Sequence, residues 1–252
     1  MTVDYPQNEN GLFILSARDF DEIAVGFYDE KCPEIKKGGL PVDIETIATE
    51  RLYLNVVFRP LVSTGSILGL VTFCDCELEL RDEEGKRDVC GYPGGTILVE
   101  RALLREELTH RRRFTIAHEV SHWLLHRSYH SPTNKKYSYY ISCSSVNIER
   151  VRHKTVSDDR WAEWQADQLA AALLMPREAF EAYARGAIHE AKCTMESFRS
   201  GHRRDAMLYV ARRLSEKFMV SHRAVEIRMR GLGIISGDKS GLKRAVEVIP
   251  PK

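Results

Sequence analysis

Five residues, His118-Glu119-Val120-Ser121-His122, carry the most specific chemistry in this chain. Two histidines four residues apart on a helix point the same way and can share one ion, while the glutamate between them lies beside that ion. A zinc ion held by two neutral imidazoles and a carboxylate keeps a fourth position for water and lowers that water's pKa to about 7. Glu119 is then placed to take the proton while the metal polarises a scissile carbonyl, which is the chemistry of peptide hydrolysis. His126, one turn further on, reads as a supporting or structural residue, since two histidines already serve from this segment.

A third protein ligand is required, and the stretch DDRWAEWQADQLAAALLMP offers Glu163, with Asp158, Asp159 and Asp167 as rivals. Asp158 and Asp159 are better explained as caps of a helix that follows them. Glu163 and Asp167 stand four apart on one helical face, which permits a ligand and a carboxylate that fixes an imidazole. A lone glutamate on a helix is ordinarily solvated, and the need for a third ligand is what favours Glu163. The oxyanion formed during attack needs a donor as well; Tyr137, Tyr139, Tyr140, His130 and His153 all qualify by type, and the sequence does not choose among them.

The elements that must position these groups follow from periodicity. RRRFTIAHEVSHWLLH sets Ile116, Ala117, Val120, Trp123 and Leu124 on one stripe and Thr115, His118, Glu119, His122 and His126 on the other side, a helix with one chemical face. The second carboxylate-bearing helix is expected from Trp161, with cap chemistry at Ser157-Asp158-Asp159 and an end signalled by Pro176. Upstream, PVDIETIATERL has helical spacing with Pro41 suited to a first turn, and 55–58, 67–74 and 96–99 read as short strands. The charged run at 77–88 suggests a solvated hairpin or loop. Residues 127–158, with Pro132 and four tyrosines, form a long excursion holding one strand near Tyr139-Tyr140-Ile141, and loops of that length are commonly functional. Another helix is expected from Pro176 to about Arg185, and the remainder reads as helix, turn at Met219-Val220-Ser221, and helix.

Composition sets the outer bounds. The 252 residues are 43% hydrophobic and 29% charged with a net charge of +1, ordinary for a globular chain and without a global polyanion signal. No run approaches the roughly 20 apolar residues of a membrane span, and MTVDYPQNENGLF lacks the pattern of a signal peptide, so a cytoplasmic address is expected. The six cysteines lack paired spacing, and Cys74-x-Cys76 with Cys90 has neither the usual two-residue gap nor a fourth ligand, so reduced thiols are the reading.

RRRFTIAHEVSHWLLHR and EWQADQLAAALLMP together resemble the two signature segments of the ImmA/IrrE metallo-endopeptidases, a combination far more specific than H-E-x-x-H alone. The resemblance covers roughly Pro41 to Arg185, with LSEKFMVSHRAVEIRMRGLGII more loosely similar to the helices that close the family's domain. It implies His118, His122 and Glu163 as zinc ligands, Glu119 as catalytic base and Asp167 as a supporting residue. It also implies an α+β, zincin-like fold, with a small sheet packed on the H-E-x-x-H helix and the Glu163 helix, and helices at the C-terminal end. The implied substrate is a protein, a helix-turn-helix repressor cut to relieve repression. The gap from His122 to Glu163 is longer than in compact relatives, and no N-terminal helix-turn-helix module is read. On this basis 1–40 is an N-terminal extension, 41–190 the metallopeptidase domain and 191–252 a helical C-terminal region.

The competing class is a DNA-binding or metal-responsive regulator that retains the peptidase fold. Residues 192–252 hold fourteen Lys or Arg against six Asp or Glu, and the last helix carries Arg223, Arg228 and Arg230. Charged helix faces are more often simply solvated, so DNA contact is the lesser expectation.

Overall fold

A computed structural model describes residues 4–35, 40–61, 67–81, 84, 86–130, 140–142, 156–194 and 203–235. Its centre is a four-stranded sheet in the order β1, β5, β2, β6, built from β1 (Asn55–Arg59), β2 (Gly69–Thr72), β5 (Thr96–Glu100) and β6 (Tyr140–Ser142). β1 runs parallel to β5 with Asn55 opposite Thr96, whereas β2 is antiparallel to both β5 and β6. β5 is buried on both faces, and the strand period of two sorts its side chains between two cores. Ile97 and Val99, with Val71 of β2, belong to the main core; Leu98 and Leu70 turn to the opposite face.

That opposite face is covered by the antiparallel pair β3 (Cys76–Arg81) and β4 (Arg87–Tyr92). The charged run therefore does form a hairpin, but a half-buried one. Leu78, Leu80 and Tyr92 pack with Leu61, Ile67, Leu70 and Leu98, so alternate residues face inward while Glu77 and Glu79 face outward. The charge density of the run conceals this alternation. Among the described residues Cys32, Cys76 and Cys90 are free thiols.

On the main-core face lie the helices. α1 (Asp19–Lys31) buries Phe20, Ile23, Ala24, Phe27 and Tyr28, spaced at one helical face, in the same core as Ile116, Val120, Leu169 and Leu173. α2 begins at Ile44, where Asp43 caps it by accepting from the Thr46 amide at 3.1 Å, and it widens into a π-type turn over Ile47–Arg51. Pro41 thus precedes this helix rather than opening it. α3 (Thr109–Leu125) and α4 (Val156–Leu174) pack along one another, and α5 (Arg177–Thr194) follows Pro176 for twice the expected length. α6 (Arg203–Phe218) and α7 (His222–Gly231) are the last described helices; Met219 between them has φ +51°, and Ser221 caps α7 by accepting from the Ala224 amide at 3.2 Å.

α4 starts at Val156, one turn earlier than cap chemistry suggests, so Asp158 and Asp159 occupy its first turn. They are engaged there by other groups: Asn10 Nδ2 donates to Asp158 at 2.6 Å and the Tyr129 hydroxyl donates to Asp159 at 3.2 Å. The strand expected near Tyr140 is β6, while most of the 127–158 excursion, with Tyr137, Tyr139 and His153, lies outside the described residues. Among the described residues no helix is long and apolar enough to cross a membrane.

Candidate metal centre

α3 carries the chemical face, and its apolar stripe explains how it is held. Ile116, Ala117 and Val120 are fully buried against the sheet-side core. The other face is buried too, under α4 and β2: Glu119 is 1% exposed, His122 1% and His126 0%, whereas Trp123 and Leu124 are only half-buried. Periodicity identifies two faces but not which of them receives a neighbouring helix.

Across the α3–α4 contact three ligand atoms converge. His118 Nε2 and His122 Nε2 stand 3.0 Å apart, and Glu163 places one carboxylate oxygen 3.2 Å from the first and the other 3.3 Å from the second. All three ligand atoms lie within 4.8 Å of one another, and among the described residues this is the one group of its kind. Asp167, a turn along α4, faces His118 Nδ1 at 3.0 Å. A carboxylate accepts and does not donate, so the His118 proton belongs on Nδ1 and its Nε2 presents a lone pair to the cluster. Two imidazole nitrogens and a carboxylate focused on one point form a donor set that suits a divalent cation. Asp158 and Asp159 take no part in it.

Electrostatics agree with that focus. Burial pushes the Glu163 carboxyl up, yet hydrogen bonding to His118 and His122 outweighs it and holds the group well below the usual carboxylate range. Burial lowers His122, against the opposing pull of Glu163, and lowers His126 well below the ordinary imidazole value. Burial thus disfavours the charged form of both rings.

Glu119 stands outside the cluster, turned toward β2. A Cβ placed on Gly69 would come 2.8 Å from Glu119 Oε1 and 2.6 Å from Thr115 Cγ2, so only glycine lets the strand pass this close to the carboxylate. His130, one of the five oxyanion candidates, is 3% exposed and stacked on Phe73 with ring centroids 4.8 Å apart; burial lowers its pKa to about 3. It is a neutral ring in an aromatic nest.

Two residues that sequence reasoning passed over join the site's surroundings. Gln165 is wholly buried, accepting from or facing His126 Nε2 at 3.0 Å through its Oε1 and donating to the Phe13 carbonyl at 2.6 Å. Gly69 sits beneath Glu119. Neither carries a local signal, because a glutamine on a helix is ordinarily solvated and a glycine at a strand start ordinarily marks a turn.

The three arginines of α7 have partners among the described residues. Arg228 is 7% exposed, pairs with the buried Asp21 of α1 and donates to the Met175 carbonyl at 3.2 and 3.0 Å; Arg223 and Arg230 both pair with Glu226. Arg228 faces the core and is not displayed to a nucleic acid.

Comparison with curated proteins gives no match. A family model described as the IrrE N-terminal-like domain, peptidase M78, matches residues 73–230. The match begins later and ends later than the Pro41 to Arg185 span of the resemblance, and it takes in the hairpin, both cluster-bearing helices and all but the last residue of α7. With the mixed sheet-and-helix architecture and the two-histidine, one-glutamate cluster at its centre, the chain belongs to the ImmA/IrrE (peptidase M78) family of metallopeptidases, with a zincin-like α+β fold.

Proposed function

We propose that this metallopeptidase is a zinc-dependent endopeptidase in which His118, His122 and Glu163 hold the metal, Glu119 is the general base and Asp167 orients His118. The observation that carries the reading is the convergence of three ligand atoms within 4.8 Å on one side of a buried helix, next to a carboxylate that is not among them. Zinc, when bound, supplies Lewis acidity that acidifies water and polarises a peptide carbonyl. Asp167 keeps the His118 proton on Nδ1, so that Nε2 remains a donor to the cation. Glu119 takes a proton onto its carboxylate during attack and returns it to the leaving amine nitrogen as the peptide bond breaks. Its burial strengthens each of these charge interactions relative to water.

Family resemblance supports a protein substrate of the helix-turn-helix repressor type, cut at a single bond in a cytoplasmic setting. A permanently open zinc site would attack its own cell's proteins, which argues for a cleft that accepts one presented segment. The test incubates zinc-loaded protein with candidate repressors and, separately, with casein, and identifies the products by mass spectrometry. One cut in one repressor is expected, with casein intact at comparable concentration. Degradation of casein at many sites would sink the single-substrate reading, and cleavage of nothing by a zinc-loaded chain would move the weight to a metal-responsive binding module. The DNA-binding alternative loses support from Arg228, which is paired inside the core.

A further inference from the structure

The metal cluster is connected to the N-terminal segment by a chain of hydrogen bonds whose direction can be worked out from one end. Phe13 offers a backbone carbonyl, which only accepts. Gln165 stands 2.6 Å from it and Trp161 Nε1 3.3 Å, so the group that Gln165 turns toward Phe13 must be its NH₂, and its carbonyl oxygen must face the other way. That oxygen lies 3.0 Å from His126 Nε2 and again only accepts, which places the His126 proton on Nε2. An imidazole that carries its one proton on Nε2 holds a lone pair on Nδ1, and in His126 that atom faces His122. His122 Nδ1 stands 2.9 Å from that lone pair and must be the donor. The proton of His122 is thus kept on Nδ1, and its Nε2 is left bare toward Glu163 and His118.

We infer that Gln165 and His126 are positioning residues that select the metal-binding tautomer of His122, anchored by the main-chain carbonyl of Phe13. The inference rests on the reading of His118, His122 and Glu163 as the metal site, and it reaches outside the matched family span, since Phe13 precedes residue 73. The anchor is well held. Leu12, Tyr129 and Ala162 form a small buried cluster beside it, and Asn10 clasps Asp158 at 2.6 Å. His118 obtains the same tautomer from a single carboxylate, Asp167, that is largely exposed, whereas His122 obtains it through three groups inside the core.

The test has two arms on the full-length chain. In the first, long-range ¹⁵N–¹H spectra of the wild type, with and without zinc, locate the ring protons; His126 is expected neutral with its proton on Nε2 in both states. A His126 proton on Nδ1 would mean that the relay runs the other way and would overturn the inference. In the second, Gln165→Met removes both the acceptor and the donor at similar volume, and zinc affinity is measured by competition with a chromophoric chelator. A fall of about 10- to 100-fold is expected, the usual consequence of losing an outer partner of a ligating histidine. Unchanged affinity in a folded Gln165→Met chain would overturn it as well. A wild type that takes up no zinc would instead defeat the metal reading, while the His126 proton position would still decide the relay.

Discussion

Glu119 and Glu163 differ by environment and not by type, and the difference fits the roles proposed for them. Glu163 bridges two imidazole nitrogens and is held ionised by them, as a ligand should be. Glu119 lies beside the cluster, 1% exposed, with its carboxylate against the backbone of β2. Glu119→Gln should therefore keep stoichiometric zinc while turnover falls by roughly 10²- to 10⁴-fold, the scale of a lost general base. Metal analysis beside a cleavage assay measures both, and undiminished cleavage would remove Glu119 from that role. Glu163→Ala should lose most of the zinc, whereas Asp167→Ala should weaken binding by only about 10- to 100-fold, because it touches His118 and not the ion. The rank order is decisive: if Asp167→Ala strips the metal and Glu163→Ala retains it, the ligand assignment is wrong.

Between elements, the close pass of β2 over α3 is what sets the position of Glu119, the proposed base. Gly69 pairs with Val99 of β5 in the sheet, so the strand's position is set by the ladder and not by the helix beneath it. Any side chain added at residue 69 must displace Thr115 or Glu119, since the strand itself cannot retreat without breaking that pairing. Gly69→Ala is expected to leave zinc affinity unchanged and to lower the cleavage rate by up to about 10²-fold, the effect of a displacement of about 1 Å in a reacting group. A cleavage assay showing full activity would indicate that Thr115 absorbs the whole displacement. On the far side of the same sheet the β3–β4 hairpin, by burying Leu78 and Leu80 on Leu98, keeps β5 dry on both faces and the ladder rigid.

For the molecule as a whole, the first and last described helices are tied through the end of the α4 helix. Arg228 of α7 reaches both Asp21 of α1 and the carbonyl of Met175, and the Tyr28 hydroxyl of α1 donates to the Leu173 carbonyl. The Arg228–Asp21 pair is about 8% exposed on each side, so removing one partner strands a buried charge. Asp21→Ala should destabilise the fold by about 3–5 kcal/mol in chemical denaturation. A loss below about 1 kcal/mol would show that water replaces the lost carboxylate, and the tie between α1 and α7 would then count for little.

Local patterns sufficed for the ingredients of the site. A spacing of four along a helix places His118 beside His122, and likewise Glu163 beside Asp167, whatever the rest of the fold does, because helical geometry is set within one turn. The strands at 55–58 and 96–99 were legible for the same reason, being short β-branched runs between glycines and prolines. What lay beyond the sequence depends on contacts between residues far apart in the chain. Nothing local announces that α1 shares the main core, that alternate residues of a highly charged run are inward-facing, or that Arg228 turns inward to Asp21. The same holds for Gln165, whose neighbours Phe13 and His126 are distant in sequence, so its burial and the direction of its amide exist only once the N-terminal segment has docked on α4. Residue type and spacing determined which groups could bind a metal; tertiary packing decided which of their nitrogens would be bare, since a proton's place on an imidazole is dictated by the partner on its far side.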